Sequence, residues 1–203
     1  DHTPFTNAQR AARPGDLPST YLLHVGTLQP RKNLLRLLEA FARLQDHAAK
    51  PTLVLVGQHG WLDTPIRQQV KRLGLEARVR FLGYVSQSDL PSLYAHATAY
   101  VAPSLYEGFG FTPLEAMACG TPVVCSDGGS LPEVVGEAAL VVPAKDTTSL
   151  TSAIHQLLPG GNQELRRRLI ARGYKQSRRF TWMHSAQQTL NVLEHAFRLR
   201  CET

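Results

Sequence analysis

Two glutamates, Glu107 and Glu115, stand eight positions apart in the stretch SLYEGFGFTPLEAMACGTPVV, residues 104–124. Between them lie Gly108 and Gly110, which lack a Cβ and let backbone amides come up against a ligand. A carboxylate can accept hydrogen bonds from adjacent sugar hydroxyls, as in ribose recognition. Well upstream, GTLQPRKN (26–33) sets Arg31 beside Lys32 just before a helix start. A guanidinium fork and a compact ammonium at that point could hold a diphosphate, helped by the positive end of the helix dipole. Each charge-assisted contact of this kind contributes roughly 1.5–3 kcal/mol. The plainer reading of Arg31 and Lys32 is a solvated charged pair, but cations are disfavoured at a helix N-terminus. Glu115 also has a plain reading, because Thr112-Pro113-Leu114-Glu115 fits a capping box with proline at the first helical position. Glu107 precedes the glycines on a loop and has no such explanation.

Familiar nucleotide motifs fit badly. The glycine spacing runs G-x-G-x-x-P and ends in Pro113, and it follows a fourth strand rather than a first. No G-x-x-x-x-G-K-[ST] loop is present, nor a D-x-D pair, nor H-E-x-x-H. Ordinary NAD or ATP binding is therefore not expected.

These residues need a scaffold, and the apolar pattern supplies one. Short apolar runs at 21–26, 52–57, 79–83, 98–104, 122–126 and 138–142 read as strands. Between them, helices are expected from Asn33, a plausible N-cap, to about Gln45, along Leu62, Ile66, Val70 and Leu73 up to Gly74, over 86–97 and over about 112–118. Three more helices follow, marked by Leu150–Leu158, Leu165–Ile170 and Trp182–Phe197. Strict alternation implies an α/β fold, a doubly wound, six-stranded parallel sheet with helices on both faces. Such sheets bind ligands at the carboxyl ends of their strands. That gathers loops 26–33, 57–61, 83–86, 103–112 and 126–131 along one edge. Residues 1–20, with three prolines and no periodicity, read as a linker or tail, and 21–203 as one domain.

The 203 residues are 43% apolar and 19% charged, ordinary for a chain with a real core. A net charge of +6 favours anionic partners. No apolar run approaches the roughly 20 residues of a membrane helix. With no initiator Met and no signal-like start, the chain is expected to be part of a longer protein. Cys119, Cys125 and Cys201 form no C-x-x-C pair and read as reduced, cytosolic thiols. Residues 166–179 carry Arg166, Arg167, Arg168, Arg172, Lys175, Arg178 and Arg179. Those cations are either a solvated helix face or a contact with an anionic membrane. A nucleic-acid-binding module is the remaining reading of the charge, but no aromatic platform or recognition motif accompanies it, so no nucleic acid is expected.

Taken together, HVGTLQPRKNL (24–34), LVLVG (53–57), VRFLGYVSQSDLPSLYAHA (79–97) and PSLYEGFGFTPLEAMACGTPVVCSDGGSLPEVVGEAALVVP (103–143) resemble the C-terminal half of a GT-B glycosyltransferase of the retaining group 1 kind, family 4. The likeness runs from about Tyr21 to Phe197, and Glu107 with Glu115 fits the family's E-x7-E signature. It implies a nucleoside-diphosphate sugar as substrate, GDP- or UDP-linked and mannose-like as a first guess, with no metal and no other cofactor. Arg31 and Lys32 would grip the diphosphate, Glu107 would face the donor sugar, and Glu115 would bind the ribose. Gly108, Phe109 and Gly110 would offer amides to sugar and diphosphate. Tyr84 and Val85 would line the base pocket, and Gly26 would allow close approach of the first loop. Retention implies attack on the face the diphosphate leaves, or a covalent intermediate on Glu107. The resemblance also implies a separate N-terminal acceptor-binding domain, with the helix at about 181–199 packing toward it and partly over its own sheet. Acceptors would be glycans or lipid-linked sugars, in the cytoplasm or at the inner face of the membrane. A GT-B-like sugar-nucleotide epimerase shares the architecture, and the E-x7-E set argues against it.

Overall fold

The structure is a computed structural model that describes Phe5 and residues 17–58 and 64–201. Strands β1 (Tyr21–Val25), β2 (Thr52–Val56), β3 (Val79–Gly83), β4 (Ala99–Ala102), β5 (Val123–Ser126) and β6 (Ala139–Val142) form one sheet. All its pairings are parallel, in the order β3-β2-β1-β4-β5-β6. The helices are α1 (Leu34–Ala42), α2 (Thr64–Arg72), α3 (Leu90–His96), α4 (Phe111–Ala118), α5 (Leu131–Val135), α6 (Thr147–Leu157), α7 (Gln163–Ser177) and α8 (Trp182–Cys201). The expected tail at 1–20 falls mostly on residues outside those described, as does Leu62 of the expected second helix.

Alternation along each strand divides the core. Leu22, Leu53, Leu55, Val101 and Val124 face one side, where α1, α2, α6 and α7 bring Leu37, Leu38, Phe41, Ile66, Val70, Ile154, Leu157 and Leu169. Tyr21, Leu23, Val54, Tyr100, Val123 and Cys125 face the other, under Leu93 and Tyr94 of α3, Leu114 and Met117 of α4, and Leu131 and Val135 of α5. β1 and β2 are buried on both faces over their whole length, which is why they read as near-continuous apolar runs, broken only by His24 and Thr52. Cys119 and Cys125 are free and buried, and burial pushes both thiols up to about 12, leaving little reactive thiolate.

Local details depart from expectation in four places. Asn33 does precede α1, but in a left-handed conformation (φ 57°), and its side chain caps nothing. Instead its amide donates to the carbonyls of Pro103 and Ala144, at 2.9 and 2.8 Å, tying the first loop to two others. α3 starts at Leu90 rather than 86, because Ser86 Oγ donates to Asp89 Oδ2 at 2.7 Å and holds that stretch in a turn. α5, between β5 and β6, was not expected; its five residues are too few to carry a helical period. Finally, the last helix covers none of this sheet. Every side chain described from 181 to 198 is exposed, because both sheet faces are already filled by the other helices.

The carboxyl edge is sealed by a close approach of two loops. Gly26 N donates to the carbonyl of Val56 at 2.8 Å, and a Cβ on Gly57 would lie 2.1 Å from the carbonyl oxygen of Gly26. Gly57 also has φ +148°, unfavourable for any residue with a side chain. Gly57→Ala is therefore expected to destabilise the chain by about 2 kcal/mol or more. Thermal unfolding should read this as a fall in midpoint of about 4–8 °C. An unchanged midpoint would mean that the two loops separate without cost.

Candidate functional site

The strand order runs outward from β1 to β2 and β3 on one side and from β4 to β5 and β6 on the other, so the direction of succession reverses between these neighbours. A crevice opens at such a reversal, outside the carboxyl ends of the two strands. The loop after β1 carries Arg31 and Lys32, and the loop after β4 carries Glu107. The fold thus brings side chains 75 and 76 residues apart into contact.

Glu107 Oε2 accepts from Arg31 Nη1 at 2.6 Å, and Oε1 accepts from Lys32 Nζ at 2.6 Å. Ser104 Oγ donates to Oε1 at 2.7 Å. Arg31 Nη1 also donates to the carbonyl of Tyr106 at 3.2 Å. Partial burial pushes the Glu107 carboxyl up, but the hydrogen bonds from Lys32, Ser104 and Arg31 outweigh it and hold the group below the usual carboxylate range. Lys32 is almost wholly buried, a costly position for an ammonium that Glu107 makes tolerable. Its hydrogen bond to Glu107 uses one of three N–H groups. Two cations against one carboxylate leave a surplus positive charge at the mouth of the crevice.

The backbone under this cluster is clamped by the loop after β5. Ser130 Oγ donates to the carbonyls of Glu107 and Phe109, at 3.1 and 2.8 Å, and Ser130 N donates to Glu107 O at 3.1 Å. Gly129, at φ +65°, comes so close that a Cβ there would stand 2.4 Å from Glu107 O. Gly108 is different: a Cβ built on it would meet open space, so packing does not require glycine there. Gly110 is the N-cap of α4, at φ 107°.

That helix start overturns the capping-box reading. α4 begins at Phe111, two residues early for it, and Thr112 Oγ1 instead accepts from Tyr100 Oη at 2.7 Å. Glu115 does not reach back; its Oε2 accepts from the buried Tyr94 Oη at 2.8 Å. Burial raises the Glu115 carboxyl, and the Tyr94 bond opposes the rise. Glu115 lines a cavity of about 1070 Å³ together with Gln87, Phe109, Phe111, Phe180 and Trp182. The aromatic lining is continuous: Phe109 meets Phe111 at 4.8 Å and Phe180 at 5.6 Å, and Phe111 meets Trp182 at 6.4 Å.

Of the expected site residues, Arg31, Lys32 and Glu107 are in direct contact, with Gly26 beneath them: a Cβ on Gly26 would sit 3.3 Å from Lys32 Nζ. Phe109 and Glu115 share the cavity wall. Tyr84 and Val85 follow β3 at the far end of the edge; the Tyr84 ring is 72% exposed and Val85 is half-buried. They do not line that cavity, although Gln87, two residues on, does. Ser104, Ser130, Tyr94 and His24 were missed. Ser130 lies in a loop already expected on this edge, and its neighbouring glycines were the available signal. His24 gave none. It is fully buried, its Nδ1 donates to the carbonyl of Val101 at 2.9 Å, and Nε2 has no partner among the described residues. Burial lowers its pKa to about 4, so it stays neutral behind Lys32.

Known proteins share this architecture. O-antigen chain mannosyltransferase B of Escherichia coli is 45% identical over 173 residues, 85% of this chain and 45% of that protein. Sucrose-phosphate synthase from Thermosynechococcus elongatus superposes with a TM-score of 0.81 at 30% identity, over 98% of this chain and 51% of that one. Anabaena Alr3699/HepE, solved in complex with UDP and glucose, superposes with a TM-score of 0.77 at 28% identity, over 87% and 48%. This chain thus spans about half the length of the proteins it matches. Residues 6–176 match the family described as glycosyl transferases group 1, and with the parallel sheet and the Glu107 loop leading into the helix that carries Glu115, the chain belongs to that family.

Proposed function

We propose that this chain is the donor-binding half of a retaining, metal-independent hexosyltransferase. It takes a hexose from a nucleoside-diphosphate sugar, GDP-mannose first and UDP-sugars next, for a glycan or lipid-linked acceptor. The observation that carries the reading is the contact of Arg31 and Lys32 with Glu107 where β1 and β4 lie side by side; Phe109, two residues on, enters the wall of the cavity that Glu115 lines. The names of the relatives agree: one is a mannosyltransferase, and another was solved with UDP and glucose.

On this reading the surplus positive charge receives the diphosphate, and Arg31 and Lys32 stabilise the charge that grows on it as the glycosidic bond breaks. They supply the charge that a metal would otherwise bring. Glu107 stays ionised and accepts sugar hydroxyls beside the anomeric carbon. Both of its oxygens are engaged by cations, which makes it a poor nucleophile and favours attack on the face the diphosphate leaves. Gly26 and the open side of Gly108 admit the phosphates, with Phe109 and Gly110 amides nearby. Glu115 takes the ribose, and Tyr84 and Val85 take the base, largely through backbone groups.

The remaining half of the enzyme would be an N-terminal acceptor domain, and exposed Trp182, Met183, Leu190, Val192, Leu193 and Phe197 on α8 are the apolar surface offered to it. Action in the cytoplasm rests on the reduced thiols, and action at the inner membrane face on the basic cluster at 166–179. Three of that basic cluster are already engaged: Arg166 with the carbonyl of Thr98, Arg172 with Glu137, and Arg179 with Gln176. No helix among the described residues is long and apolar enough to cross a membrane.

Four outcomes test the reading. Lys32→Ala should weaken GDP or UDP binding by calorimetry about tenfold or more, whereas Glu107→Gln should leave binding nearly intact and abolish transfer in a protein carrying both halves. The 203-residue chain alone should bind nucleotide yet transfer nothing; robust transfer by it would refute the two-half scheme. Nucleotide affinity should also fall with pH before the ordinary carboxylate range is reached. The raised pKa of Glu115 means that its accepting, ionised form is lost as pH drops through that raised value. Glu115→Gln should flatten this dependence.

A further inference from the structure

We propose that Tyr94 is the positioning residue for the ribose-reading carboxylate: its hydroxyl holds one oxygen of Glu115 so that the other is presented to the ribose diol. The inference rests on the assignment of Glu115 to the ribose.

The geometry is direct. Tyr94 Oη donates to Glu115 Oε2 at 2.8 Å, across from α3 to α4. Tyr94 itself is fully buried and held from several sides. Its ring packs edge-on against Tyr100 at 5.5 Å and against Phe5 at 6.1 Å. Its carbonyl accepts from Thr121 Oγ1 at 2.5 Å and from Ala97 N at 3.0 Å. The hydroxyl therefore cannot follow Glu115 if the carboxylate swings. Tyr100, the other buried phenol nearby, does not compete, because its hydroxyl goes to Thr112.

Glu115 Oε1 has no hydrogen-bond partner among the described residues, and the side chain borders the cavity. A carboxylate oxygen has two lone pairs and can accept from both cis hydroxyls of a ribose. Two effects of Tyr94 favour that use. It fixes the carboxylate plane in advance, so less ordering is left for the ligand to impose. It also stabilises the ionised form against burial in the apolar wall. A phenol that merely satisfied its own burial would affect every ligand alike; a positioning phenol affects only ligands that have the diol.

The test compares UDP, or GDP if it binds better, with its 2′,3′-dideoxy analogue on wild type and Tyr94→Phe, by calorimetry. Wild type should prefer the ribose form by about tenfold or more. Tyr94→Phe should lose most of that preference through weaker binding of the ribose form, with the dideoxy affinity unchanged. If wild type shows no preference, the ribose assignment of Glu115 fails, and the inference with it. If wild type prefers ribose and folded Tyr94→Phe keeps the full preference, the assignment stands and the role of Tyr94 is overturned. A second measurement needs no variant and covers the case in which Tyr94→Phe does not fold. The buried, hydrogen-bonded hydroxyl proton of Tyr94, followed by NMR, should shift on adding the ribonucleotide and stay in place on adding the dideoxy form; equal shifts, or none with either, would reject the role.

Discussion

A buried ammonium, a half-exposed guanidinium and a carboxylate meet at one point because β1 and β4 are neighbours in the sheet. Remove any member and the others are left in an unfavourable state: Lys32 would be charged and nearly solvent-free, or Glu107 would lose the bonds that keep it ionised. The surrounding architecture reads as support for this contact. Asn33 ties the cationic loop to the carbonyls of Pro103 and Ala144. Ser130 and Gly129 brace the acidic loop from below. Neutral His24 adds no third positive charge behind Lys32.

The second acid occupies the opposite electrostatic situation. Glu107 is held ionised by cations, whereas Glu115 is drawn toward its neutral form by an apolar wall and kept partly in check by one phenol. Two carboxylates eight residues apart are thus separated by environment rather than by chemistry. A group facing developing charge benefits from a fixed ionic lattice. A group recognising neutral hydroxyls benefits from a dry setting in which each hydrogen bond is strong. The fold provides both through its two cores, since the cationic loop leads into α1 on one face and Glu115 projects from α4 on the other.

Much of this was legible in the residues. Strands β1, β2, β4 and β5 are buried throughout and read as mostly apolar runs, and β3 and β6 at the sheet edges are apolar enough to read as well, so the carboxyl edge could be read from the pattern, along with the loops that carry Arg31, Lys32 and Glu107 and the helix that carries Glu115. Strand order was not legible, because alternation implies parallel pairing without saying which strands are neighbours; the contact of Lys32 with Glu107 depends on that order. Local rules failed where a distant partner outbid the local one. Asn33 and Thr112 have the right chemistry to cap, yet one serves two remote carbonyls and the other a buried phenol. The role of Tyr94 was not legible, since only the packing of α3 on α4 reveals where its hydroxyl points. The exposed state of α8 was hidden for a similar reason: an apolar stripe reports that something must cover it, not what.

The strand order carries an evolutionary implication. β3 is one of the two edge strands, and three inter-strand spacings, about 14 Å, separate its loop from that of β4. Exposed Tyr84 therefore sits on a margin of the sheet that can drift, gain insertions or be reshaped without disturbing the ionic lattice at the centre. If the base is read at that margin and the sugar at the centre, the two halves of donor choice are separable by descent, and a lineage could change nucleotide while keeping its hexose.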